Sequence, residues 1–253
     1  MNILSEIVNF AMPSYCSVCG HVGDWVCKSC LSGLNDTLPE CYACRRLSND
    51  YMTHKRCLGN YTRSHLFTQL ITWKVYDSAA KSIMSAFKYK STEAIAKVLV
   101  REFVNDRKRL FEKIHTNAKG KPILLIPMPI HAWRRNKRGF NQAEALVAEF
   151  ARQLGWFSSV RLIKRIRNTP HQARLDKEHR QANIKNSFNI DQDEFNSIKL
   201  LAPHVIVVVD DVISTGSTIN EVGRIVKEAF PDAQLIALAL FRGRVWKWET
   251  VLA

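Results

Sequence analysis

Apolar residues in this chain recur with two periods, and together they lay out an α/β protein. Val205-Ile-Val-Val-Val209 is a run of β-branched residues, the pattern of a strand buried on both faces of a parallel sheet. Asp210 and Asp211 stop the run, so the strand is expected to emerge into solvent there. After a short loop, Val222, Ile225, Val226 and Ala229 fall at helical spacing, and Pro231 marks the end. Thr218 and Glu221 have capping-box spacing at the start of that helix. Ile123–Ile126, Val160–Ile166 and Leu235–Phe241 read as further strands, and Phe67, Ile71, Trp73 and Val75 as one face of another. Three more helix faces stand out: Ala80, Ile83, Met84 and Phe87, capped near Asp77 or Ser78; Ile95, Val98, Leu99 and Phe103; and Ala143, Leu146, Val147, Phe150 and Leu154. The last of these has Asn141 and Glu144 at capping-box spacing and Gly155 as its C-cap. Strands alternating with helices predict a doubly wound, mostly parallel sheet.

Two stretches between these elements are polar. His115–Lys121 reads as a surface loop, and Arg167–Asn186, with only Leu175 and Ile184 as anchors, as a mobile loop that can close over a reaction centre. At the start, Ile3, Leu4, Ile7, Val8 and Phe10 look like one face of a short helix, without the basic n-region of a signal peptide. No apolar run approaches the roughly 18–20 residues that span a bilayer. The expectation is a cytoplasmic protein that is not integral to a membrane.

Charge sharpens the picture. The net charge is +14, and between His131 and Lys185 there are 13 Lys/Arg against 4 Asp/Glu. Such a surface suits a polyanionic small substrate or a nucleic acid, and charge alone does not separate the two.

Residues 12–60 are rich in cysteine and poor in apolar residues. Cys16-x2-Cys19 and Cys27-x2-Cys30 have the spacing of one tetrahedral Zn²⁺ site. Cys41-x2-Cys44 with His54-x2-Cys57 gives a second, of Cys3His type, or the two sites interleave their ligands. Metal would supply much of the folding free energy of a head with so little core. The expected organisation is a zinc-ribbon head with its short N-terminal helix over residues 1–60, and the α/β domain over 61–253.

The candidate chemistry lies after the central strand. Ser214, Thr215, Ser217 and Thr218 surround Gly216 where a helix begins. A helix N-terminus offers unpaired N–H groups and the positive end of a dipole, which suits a phosphate. Gly216 lets the backbone approach it. Asp210 and Asp211 accept hydrogen bonds, suiting sugar hydroxyls or hydrated Mg²⁺. Four apolar residues, two acids and then x-x-x-T-G-x-T resemble the phosphoribosyl pyrophosphate (PRPP) motif of type I phosphoribosyltransferases. A second cradle for the pyrophosphate follows the turn at Pro127-Met-Pro129, with Arg134 and Arg138 as its forked cations and Lys88 as a further one.

Together these residues resemble the ComF/ComFC family, which joins a zinc head to a phosphoribosyltransferase domain. The likeness is carried by the Cys pairs, Lys88-Tyr89, Pro127-x-Pro129, His131-x2-Arg134-x3-Arg138-Gly-Phe-Asn-Gln142, Thr169-x2-Gln172, Arg180-x2-Asn183 and Asp210–Thr218. His54 stands where the family has a cysteine. The resemblance implies PRPP binding with Mg²⁺, one or two Zn²⁺, and a role in natural transformation. Its implied partners are single-stranded DNA and other DNA-uptake or recombination proteins. Two functions stay open: a PRPP-binding protein that handles single-stranded DNA, or a transferase moving ribose 5-phosphate to a nitrogen acceptor. Trp133, Trp246 and Trp248, interleaved with basic residues, are candidates for base stacking or for packing.

Overall fold

The computed structural model describes residues 13–58, 66–89, 92–131, 135, 139–167 and 186–243. Its centre is a five-stranded sheet in which every neighbouring pair is parallel. The strands are β1 (Phe67–Val75), β2 (Ile123–Pro127), β3 (Phe157–Ser158), β6 (Val205–Ile213) and β7 (Gln234–Arg242), in the order β1-β7-β6-β2-β3. β4 (Ile163–Arg165) and β5 (Phe188–Ile190) form a separate antiparallel hairpin. Helices cover both faces. Against one face lie α2 (Ser78–Tyr89), α3 (Thr92–Asp106), α4 (Lys108–Asn117) and α5 (Gln142–Leu154), and against the other α6 (Gln192–Leu201) and α7 (Ser217–Ala229). Strand periodicity builds the two cores: Val205, Val207 and Val209 enter one, Ile206 and Val208 the other. The doubly wound parallel sheet expected from the pattern is present.

Several boundaries differ from expectation. The acids at 210 and 211 do not stop β6. The strand runs on to Ile213 because β7 continues beside it, pairing Asp210 with Ala239 and Ile213 with Arg242. Its other neighbour, β2, does end there, opposite Val209. Thr218 and Glu221 form no capping box: Gly216 is the N-cap, and Glu221 instead accepts from the Asn186 amide at 3.0 Å and pairs with Arg224. Asn141 does cap α5, accepting from the Ala143 amide, and Gly155 closes it in the left-handed conformation. Val160–Ile166 supplies only the short β4, outside the main sheet. His115 lies in α4 rather than in a loop; buried Phe111 and Ile114 hold that helix to the core.

β1 is buried on both faces rather than one: Ile71 and Trp73 enter one core, Phe67 and Leu70 the other, and the cysteine-rich head lies along its edge. The head, residues 13–58, carries the short helix α1 (Lys28–Ser32) and two 3-10 turns. It takes up the otherwise open edge of β1: Thr37 N donates to Trp73 O, Val75 N to Asn35 O and Thr53 N to Thr68 O. Val26, Leu31, Leu34 and Tyr51 of the head join the larger core. The almost fully buried Lys74 pairs with Asp36 at 3.0 Å. Among the described residues no helix is long and apolar enough to cross a membrane.

Candidate functional site

The loop 214–216 leaves the carboxyl end of the central strand and enters α7. Gly216 has φ of 82°, a conformation that costs any other residue strain, and Ser217 is the first helical residue. No side chain caps α7, so its first amides face the loop unpaired within the helix. Hydroxyls ring this turn: Ser214 is exposed, Thr215 and Ser217 are hydrogen-bonded to each other at 2.8 Å, and Thr218 is half-buried. An N-terminus without a cap, bordered by hydroxyls and opened by glycine, can bind one compact oxyanion.

Asp210 and Asp211 sit where β2 ends and β6 continues, both half-buried. Neither forms an ion pair among the described residues. Burial pushes the Asp210 carboxyl well above the usual range, and the charge of Asp211 adds to this, while Arg165 of the hairpin opposes it. A cation or a set of hydroxyl donors arriving beside this pair would relieve the repulsion.

Behind the loop stands the head. Tyr42, between the ligand pair Cys41 and Cys44, places its phenol 3.1 Å from Gly216 O and 2.7 Å from Asn220 Oδ1. Arg45, held at φ of 64° at the end of the same knuckle, donates to Ser214 O at 2.9 Å and to Glu40 at 2.8 Å. Arg242, at the end of β7, donates to Glu40 through Nε and to Ile213 O and Ser214 O through Nη1. Burial raises the Glu40 carboxyl, against the pull of Arg45.

The head contains two groups able to hold a metal ion, Cys16/Cys19/Cys27/Cys30 and Cys41/Cys44/His54/Cys57, each with its ligand atoms within 4.8 Å of one another. The grouping follows the sequence order and is not interleaved. Tetrahedral zinc with thiolates at about 2.3 Å and imidazole at about 2.0 Å sets S···S edges of ~3.8 Å and S···N edges of ~3.5 Å. Cys19 and Cys27 stand 3.7 Å apart, and Cys44 and His54 Nδ1 3.3 Å, so both donor sets fit. Backbone amides of Cys27 and His54 point at Cys16 and Cys41, the kind of donors that steady a thiolate. The Ser29 hydroxyl lowers the Cys27 thiol to about 6, whereas burial raises Cys57 to about 11. All seven cysteines are free of disulfides.

The structure thus brings Asp210, Asp211, Ser214, Thr215, Gly216, Ser217 and Thr218 to one place. Lys88 lies half-buried in the last turn of α2, with no contact to that loop among the described residues. Arg134 and Arg138 lie outside the described residues, as do the polar stretch 168–185 and the tryptophans at 133, 246 and 248. Arg135, between the two arginines, is exposed and paired with Glu144. In the Gly-Phe-Asn-Gln segment Asn141 also donates to Met128 O at 3.1 Å, tying α5 to the turn after β2. Sequence reasoning missed Tyr42, Arg45 and Asn220. The signal available was their place: two residues of the second knuckle, and a polar residue one turn into α7.

The phosphoribosyl transferase domain family matches residues 99–245 of this chain. Competence protein F of Haemophilus influenzae is 26% identical over 208 residues, covering 80% of this chain and 84% of its own. Competence protein ComFC of Bacillus subtilis is 26% identical over 223 residues, 86% of this chain and 84% of that one. DNA utilization protein YhgH of Escherichia coli K12 is 25% identical over 224 residues, 85% and 91% of the two. Alignments this long do not fit within the domain match, so the likeness continues toward the head. With a matching parallel sheet, a glycine turn into an uncapped helix after its central strand and two metal-type clusters ahead of it, the chain belongs to the phosphoribosyl transferase domain family and, within it, to the ComF family.

Proposed function

We propose that this protein binds PRPP at the 210–218 loop and handles single-stranded DNA during natural transformation. The observation that supports it most is the uncapped α7 N-terminus behind Gly216, placed beside the paired carboxylates of β6. In this reading the 5′-phosphate takes the 214–218 turn and Asp210 and Asp211 take the ribose hydroxyls, with Mg²⁺ neutralising the repulsion between acids and pyrophosphate. Arg134, Arg138 and Lys88 would receive the pyrophosphate. The two head clusters hold Zn²⁺, and the chain acts in the cytoplasm. The names of the relatives, competence and DNA utilization proteins, support this cellular setting. The basic segment 131–185 supplies the phosphate-tracking surface, and other DNA-uptake or recombination proteins are its expected partners.

Isothermal titration with PRPP, with and without Mg²⁺, tests the ligand. Asp210→Asn with Asp211→Asn removes charge-assisted hydrogen bonds worth about 1.5–3 kcal/mol apiece, so binding should be lost. Unchanged affinity in that variant would refute the ribose placement. The transferase reading is separated by a screen for pyrophosphate release over nitrogen nucleophiles: release with one acceptor would make the protein an enzyme.

A further inference from the structure

The second metal cluster and the phosphate loop are joined through two side chains of one knuckle. Cys41 and Cys44 are ligand candidates, Tyr42 lies between them, and Arg45 follows them, its amide donating to Cys41 O at 3.0 Å. Both carbonyls that fix the shape of the loop end on this knuckle: Ser214 O on Arg45, Gly216 O on Tyr42. The phenol is almost fully buried, and its single proton is shared between Gly216 O and the side chain of Asn220. Gly216 O in turn accepts from the Asn220 amide, the first helical bond of α7. The fit has no slack, because a Cβ on Gly216 would meet the Tyr42 oxygen at 2.4 Å. Arg45 is braced on its other side by Glu40, which also holds Arg242 against Ser214 O and the preceding carbonyl, Ile213 O.

The first cluster has no such connection. Around it, Val26 and Leu31 pack into the larger core, and no contact among the described residues links it to 210–218. The asymmetry matters: a head that served only as a cover would not concentrate its hydrogen bonds to the loop, among the described residues, in one metal knuckle.

We propose that the second knuckle is a positioning element for the phosphate loop, with Tyr42 and Arg45 as its positioning residues. Metal occupancy at Cys41/Cys44/His54/Cys57 is thereby linked to the order of residues 214–220 and to the anion they receive. The link to that anion rests on the PRPP reading, while the link to loop order does not. Without a metal the 41–45 turn loses the constraint that sets the direction of Tyr42 and Arg45, and the loop carbonyls lose fixed donors. Linkage is reciprocal: the factor by which metal improves anion binding is the factor by which the anion retains metal.

Two measurements on the full-length zinc-loaded protein test this. Amide hydrogen exchange over 214–220 should be about two- to tenfold faster in Tyr42→Phe and Arg45→Lys than in the wild type, the effect of one lost hydrogen bond on a local opening. Cys44→Ser should speed the same amides, and Cys19→Ser in the first cluster should not. Phenylalanine at 42 keeps the ring contact with Phe67, so that variant removes only the hydroxyl and is expected to fold. Second, saturating PRPP should slow release of one of the two zinc ions to a chromogenic chelator in the wild type, and not in Tyr42→Phe. Unchanged loop exchange in Tyr42→Phe overturns the proposal, whatever PRPP does. If PRPP fails to bind the wild type while loop exchange still depends on Tyr42 and Cys44, the PRPP reading falls and the positioning role stands. PRPP slowing zinc release equally in both proteins also overturns it, since the phenol would then carry no coupling.

Discussion

Phe67 fills the space beside Gly223: a Cβ on that glycine would meet the ring Cε2 at 2.6 Å. The same ring receives Tyr42 edge-on, with centroids 5.9 Å apart and planes at 84°. Strand β1, the second knuckle and α7 therefore meet at one aromatic contact, which limits how close the helix that follows the 214–216 loop can lie to the sheet.

Replacing Gly223 by alanine sets two effects against each other. Alanine favours the helix interior by about 1 kcal/mol, but overpacking a closed core contact costs about 1–3 kcal/mol. The ring of Phe67 is fully buried, so yielding would disturb its own core contacts and the second effect should win. A lower melting temperature for Gly223→Ala is expected, recovered in part by adding Phe67→Leu. A rise in melting temperature in the single variant would show that the contact yields.

Asp210 should trade stability for binding. Its carboxyl is raised by burial and by Asp211, so the folded chain holds that proton more tightly than the unfolded one. The stability it allows is then full below the unfolded value, near about 3.9, and declines as pH rises toward the folded value. Asn at this position has no charge to bury. Asp210→Asn should therefore melt higher than the wild type at neutral pH, with the gap shrinking in acid, while PRPP affinity falls at least about tenfold. Equal melting curves from acid to neutral pH would mean that the carboxylate is already compensated in the folded protein.

Each head cluster should hold one zinc ion, giving two per chain by elemental analysis of protein purified without chelator. His54→Ala should reduce this to one and leave Cys57, the thiol that burial already raises, protonated and without metal. Two zinc ions retained in His54→Ala would place the fourth ligand elsewhere.

The parts of this site that obey local rules were legible in the sequence. The β-branched run 205–209 marked the central strand, Gly216 the tight turn, and the Cys spacings the metal groups, because each depends on residues close in the chain. What escaped depends on neighbours distant in sequence. Where β6 ends is decided by β7, which continues to Arg242 and offers the acids a ladder. Glu221 had the spacing of a cap, but Asn186, 35 residues away, took its carboxylate. β1 read as a strand with one apolar face, because nothing in residues 67–75 reveals that residues 35–37 and 53 pair along its edge. Nothing near Tyr42 and Arg45 in the chain marks their role, since their partners lie about 170 residues further along.

The basic segment gives the most direct test of the DNA reading. If its cations serve only a pyrophosphate, binding of an oligonucleotide should be negligible at physiological salt. If they track a polyanion, the logarithm of affinity for single strands should fall linearly with that of salt, by about 0.7 per phosphate contacted. The second outcome is expected, with little sequence preference, because phosphate contacts and base stacking are both tolerant of sequence. Neutralising Arg134, Arg135 and Lys137 together should lower both affinity and slope. Arg135 is already paired with Glu144, so its single substitution should do least of the three. Trp133→Ala should lower affinity at unchanged slope if the indole stacks on a base, since it carries no charge. Fluorescence anisotropy of a labelled single strand between about 50 and 200 mM salt reads both quantities. A flat salt dependence, or no binding at the lowest salt, would remove the DNA reading and leave transfer to a small acceptor as the function of the PRPP loop.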